Sequence, residues 1–132
     1  MVEVSNIGGG RADVQFQYRG IRIIAELKKE RKPLLIGQGA NDPRVKQAEA
    51  DQIVQAMQSK NIPVTYVLYP DEGHGFARPE NNLSFNAVTE AFLASVLEGR
   101  FEPIGDDFKG SSIAVPSGAG QVAGLEDALK EL

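Results

Sequence analysis

The 132 residues suffice for one modest domain with a thin core, and 42% hydrophobic with 24% charged residues is ordinary for a globular chain. There is no cysteine and no apolar run of membrane-spanning length, which excludes disulfides and thiolate metal sites and gives no reason to expect a membrane partner. The net charge of −4 is unevenly spread: residues 1–32 carry seven Lys/Arg against four acids, the rest seven against fourteen. A basic head on an acidic body fits either a nucleic-acid-facing segment or two pieces of different origin joined together. The opening MVEVSNIGGG lacks the basic-then-apolar layout of a signal peptide, so the cytoplasm is the default expectation.

In chain order, Val2–Ile7 is a candidate strand, followed by the breaker Gly8-Gly9-Gly10. Asp13–Tyr18 alternates with a period of two, and after Arg19-Gly20 a second run, Ile21–Leu27, completes a β-hairpin. From Pro33 the pattern changes. Leu34-Leu35-Ile36 is apolar on both faces, as in a central parallel strand, and Gly37–Pro43 reads as a loop. Val45–Lys60 has the helical spacing of Val45, Ala48, Ile53, Ala56 and Met57. Ile62–Tyr69 reads as a strand, Pro70–Glu80 as a Gly- and Pro-rich loop, and Asn82–Leu97 as a helix buried along Ala87, Val88, Ala91, Phe92, Ser95 and Val96. After Gly99 periodicity is lost: 105–120 is a loop or tail, and Leu125–Leu132 a short terminal helix. The predicted organisation is a hairpin segment over 1–30, a strand–helix–strand–helix α/β segment over 31–100, and a tail over 101–132.

Two polar loops follow the two predicted parallel strands: Gly39-Ala40-Asn41-Asp42-Pro43-Arg44-Val45 and Pro70-Asp71-Glu72-Gly73-His74-Gly75-Phe76. Ligands bind at that edge of an open α/β sheet, so Asp42 and His74, the single histidine, are expected to meet in one crevice. An Asp–His pair fixes the imidazole tautomer and stabilises its charged form, as a general base requires.

The string KPLLIGQGANDPRV…IPVTYVLYPDEGHGFARPEN…AVTEAFLA, within Pro33 to about Pro116, resembles the end of the catalytic domain of prolyl-oligopeptidase-family serine peptidases, the acylaminoacyl and dipeptidyl peptidases among them. The resemblance implies part of an α/β-hydrolase sheet, acyl transfer from a peptide or ester without a cofactor, Asp42 as the triad acid and His74 as the triad histidine. The nucleophile of that triad does not follow. The only serine before Asp42 is Ser5, and no serine in the chain sits in a G-x-S-x-G elbow. Missing with the elbow is part of the oxyanion hole, so the expectation is a peptidase fragment inactive alone.

The front of the chain carries a competing signal. Asp13 opening one strand, with Glu26-Leu27-Lys28 ending the next, resembles the core hairpin of PD-(D/E)xK nucleases. That resemblance implies Asp13 and Glu26 as Mg²⁺ ligands and Lys28 as the residue that positions the attacking water. The alternatives to the peptidase reading are therefore a metal-dependent nuclease or nucleic-acid-binding remnant, and a structural or interaction domain without catalysis. A chain that joins a nuclease-like hairpin to a peptidase-like tail near residue 30 would be a chimera. Nucleic acid is not the expected partner. A second copy is, because the apolar strand Leu34–Ile36 needs neighbours on both sides, so a homodimer is predicted.

Overall fold

The computed structural model describes residues 33–132 throughout and, of the first 32, the backbone of strands 2–7, 12–18 and 21–27. Those three strands, β1 (Val2–Ile7), β2 (Ala12–Tyr18) and β3 (Ile21–Leu27), form an antiparallel sheet in the order β1-β2-β3. The expected hairpin is thus a three-stranded meander, and its register sets Asp13 across from Glu26.

A second three-stranded sheet positions the loops of interest. Strand β4 (Leu34–Gly39) pairs in parallel with β5 (Val64–Tyr69), and β6 (Ala114–Ser117) pairs antiparallel with the other edge of β5. Helices α1 (Gln47–Ser59) and α2 (Pro79–Leu97) connect and follow the parallel pair, and α3 (Leu125–Lys130) ends the chain. This is an α/β arrangement with a mixed sheet. The expected central strand, β4, pairs among the described residues with β5 alone, and so is an edge strand of this sheet. No helix among the described residues is long and apolar enough to cross a membrane.

Strand β5 is the axis of the packing. Side chains alternate across a strand, so Val64 and Tyr66 join Ile36, Ala50, Ile53, Val54, Met57 and Ile62 under α1. Val67 and Tyr69 point the other way, into a core with Val88, Ala91, Phe108, Ile113, Val122, Leu125 and Ala128. Fully burying a residue of that size contributes roughly 1.5–3 kcal/mol, so the two faces of one strand tie residues 33–132 together.

The second core corrects the reading of the tail. Residues 101–132 supply strand β6, two short 3-10 turns (Asp106–Phe108 and Ala119–Gln121) and α3, and Phe108, Ile113, Val122, Leu125 and Ala128 among them are buried. The α2 stripe also differs: Asn81, Ser84, Val88, Ala91 and Ala94 face inward, while Ser95 is exposed. Helix α2 starts at Pro79, three residues earlier than expected, with proline in its first turn, where a missing N–H costs nothing. Its end at Glu98, in the left-handed conformation (φ 55°), is capped by the Gly99 amide donating to Ala94 O at 3.0 Å. Helix α1 opens with Glu49 Oε2 accepting from the Lys46 amide at 2.9 Å, one arm of a capping box.

Candidate active site

The loop after β4 and the loop after β5 leave the same edge of the sheet because the strands are parallel and in phase, Gly39 pairing with Tyr69. Main-chain bonds then join the loops. The Ala40 amide donates to Tyr69 O at 3.0 Å, and the Asn41 amide to Glu72 O at 2.9 Å. The Asn41 side chain adds a bond from Nδ2 to Pro70 O at 3.0 Å. Such closeness requires glycine at 39. A Cβ there would lie 2.6 Å from Glu72 O and collide with the carbonyl of Gly73 as well.

The first loop fixes a carboxylate. Asp42 Oδ1 accepts from the amides of Arg44 (2.8 Å) and Val45 (2.9 Å), so the side chain is locked onto its own backbone as in an Asx turn. Buried Gln38 braces the loop from beneath, its Nε2 donating to Gly39 O at 2.8 Å and Val45 O at 2.6 Å. Burial pushes the Asp42 carboxyl pKa up, but the hydrogen bonds from Val45, His74 and Arg44 outweigh it and hold the group below the usual carboxylate range.

The second oxygen is aimed at histidine. Asp42 Oδ2 lies 2.9 Å from His74 Nδ1. The aspartate side chain is 7% exposed and the histidine 44%, so the carboxylate is sheltered while the outer part of the ring meets solvent. An anion at Nδ1 favours the tautomer protonated there and leaves Nε2 as the acceptor. Glycines 73 and 75 flank His74, and Gly75 sits at φ 93°, a conformation other residues adopt only with strain.

A polar network below the loop was not expected from sequence. Glu72, 2% exposed, accepts from the amides of Ala77 (2.7 Å) and Arg78 (2.9 Å) and from Asn81 Nδ2 (2.8 Å). Asp71 bonds to Arg78 and to Ser112, and Asn81 Oδ1 accepts from Ser111 Oγ and the Ser112 amide, each at 2.9 Å. Ser84 lies deep in the same region, bonded to Tyr69 Oη and Ser111 Oγ, and burial pushes the Tyr69 hydroxyl pKa up to about 12. The one signal that sequence offered was Asp-Glu beside the histidine, two acids in a loop that has no metal motif.

The nuclease-like residues fall elsewhere. Asp13 and Glu26 are register partners on β2 and β3, and Lys28 lies outside the described residues. Among the described residues no cluster of three His, Asp or Glu side chains is placed to hold a metal ion.

The prolyl oligopeptidase family profile matches residues 4–100. Dipeptidyl aminopeptidase BIII of Pseudoxanthomonas mexicana is 79% identical over 100 residues, which is 76% of this chain and 14% of that protein. Dipeptidyl peptidase family member 6 of Caenorhabditis elegans is 57% identical over 72 residues, 54% of this chain and 10% of that protein. This chain therefore spans about a seventh or less of these relatives. No solved structure matches it significantly. Because the matched span runs across residue 30 and includes Asp13 and Glu26, the nuclease-core resemblance and the join expected there find no support; Glu-x-Lys is what charged alternation on a hairpin strand produces. The profile covers most of the sequence, and the chain belongs to the prolyl oligopeptidase family of α/β-hydrolase peptidases.

Proposed function

We propose that this chain supplies the acid–histidine half of a serine-peptidase active site. The observation that carries the reading is the bond between His74 Nδ1 and an Asp42 carboxylate that two backbone amides already hold in place. In this role His74 Nε2 takes the proton from a serine hydroxyl as it attacks the scissile carbonyl, and Asp42 stabilises the imidazolium that forms. The same proton then passes to the leaving amine. The chemistry needs no cofactor. Dipeptidyl peptidases among the relatives point to the N-terminal end of a peptide as substrate.

The serine is not found in these residues, since no G-x-S-x-G elbow is present. A dyad without a nucleophile performs no acyl transfer, so the chain alone is inactive in this reading. The test is complementation. A related peptidase deprived of the segment that this chain matches is mixed with the chain and assayed on a dipeptidyl chromogenic substrate. Turnover should return with the unsubstituted chain and fail with Asp42→Asn or His74→Gln. Turnover by the isolated chain, or stoichiometric labelling of one of its serines by a fluorophosphonate, would overturn the reading.

A further inference from the structure

We infer that Glu72 is a positioning residue for His74, a role that rests on reading Asp42 and His74 as a working dyad. Glu72 stands two residues before the histidine, yet its side chain turns inward and grips the chain beyond it. Oε2 accepts from the Ala77 amide, while Oε1 accepts from the Arg78 amide and from Asn81 Nδ2 in the first turn of α2. The carboxylate thus closes residues 72–78 into a ring with His74 at its apex and fastens that ring to a helix. The Glu72 carbonyl meanwhile accepts from Asn41, next to Asp42. One residue therefore fixes both sides of the histidine loop and its spacing from the aspartate loop.

The His74 loop needs such a device. Its imidazole is 44% exposed and has little packing to hold it, and the flanking glycines enlarge the conformational freedom that must be lost to hold the ring still. A carboxylate is suited to the task because each oxygen takes a charge-assisted bond from a main-chain amide, whatever side chains the loop carries. Burying a charge is costly unless its hydrogen-bonding sites are filled. Here three donors fill them, and although burial pushes the Glu72 carboxyl pKa up, they hold it below its usual value, so the anion persists.

The test uses the full chain, in which His74 is the single histidine and its ring nitrogens give unique signals. Long-range imidazole nitrogen–proton spectra at alkaline pH read the ratio of the two neutral tautomers. The form protonated at Nδ1 should dominate, and Asp42→Asn should abolish that preference. Glu72→Gln keeps the shape but places an amide NH₂ against main-chain donors, and should lower the ratio by about fivefold or more. Ser84→Ala, which disturbs the neighbouring network without touching the loop, should leave it unchanged. No effect of Asp42→Asn would overturn the dyad itself. An effect there with none in Glu72→Gln, or an equal effect in Ser84→Ala, would leave the dyad standing and overturn the role of Glu72. Should Glu72→Gln fail to fold, amide exchange in the unsubstituted chain decides. Slow exchange at Ala77 and Arg78 supports the clamp, and exchange as fast as in an open loop refutes it.

Discussion

Two carboxylates, Asp42 and Glu72, give the site an acid-labile character. Burial raises the pKa of each, and hydrogen bonds more than reverse that, so both protons bind less tightly in the folded chain than in the unfolded one. The sign follows from linkage: the stabilisation is complete above the unfolded pKa of about 4 and is lost as pH falls through the lower folded values. Thermal melts followed by circular dichroism should show Tm dropping as pH is taken from about 5 towards about 2, with a shallower drop in Asp42→Asn and Glu72→Gln. An unchanged slope in both variants would mean that neither group is linked to folding. Tyr66 is the opposite case, a buried hydroxyl that faces the Asp51 carboxylate without closing a well-formed hydrogen bond to it or to any other described residue. Burial, followed by the neighbouring Asp51 carboxylate, pushes its pKa well up. Since an unmatched hydroxyl costs about 1–3 kcal/mol, Tyr66→Phe should leave stability unchanged or raise it by roughly 1 kcal/mol in urea unfolding. A clear loss would reveal a bond to Tyr66 Oη.

The elements show how much of this was legible and why the rest was not. Helix α1 announces itself by a clean period with one apolar face, and strand β5 as a short run that is buried on both faces. By sequence, strand β4 ends at Ile36, since Gly37-Gln38-Gly39 carries no strand propensity, whereas it runs on to Gly39. Those glycines serve close approach instead: a Cβ at Gly37 would strike the Phe85 ring, and one at Gly39 the facing loop. The closing helix of the tail is legible, but the rest is not, because Phe108, Ile113 and Val122 are buried singly from short turns and irregular backbone, which have no period to detect. The Asp42 and His74 loops were legible as motifs, whereas the inward turn of Glu72 depends on amides five and six residues away. Gly39→Ala should therefore destabilise by about 2 kcal/mol or more by driving the loops apart, and the Nδ1 tautomer preference of His74 should fall with it. Leu125→Ala, emptying a fully buried site, should cost about 2–5 kcal/mol, and a loss below half of that would mean that the tail is not part of the core.

At the scale of the whole molecule, no strand among the described residues pairs with the outer edge of β4. Its row of main-chain donors and acceptors, next to the half-buried Leu34 and Leu35, is a template for another strand. We propose that a second copy adds there edge to edge about a two-fold axis, which would join two three-stranded sheets into one of six. Sedimentation at micromolar concentration should give a dimer, and a persistent monomer would refute it. The parallel pairing of β4 with β5 also bears on how such a chain tolerates changes of length. Gly39 and Tyr69 finish level, and the Asp42–His74 bond is closed from that common line. Deleting one residue from either strand would draw its loop back by about 3.3 Å, more than a hydrogen bond can absorb, and would turn every later side chain of that strand to the opposite face. A residue gained or lost at the far end of α1, around Lys60 and Asn61, alters only a turn on the other side of the sheet. Insertions and deletions should thus accumulate at that far end, while the two strands keep count on behalf of the site.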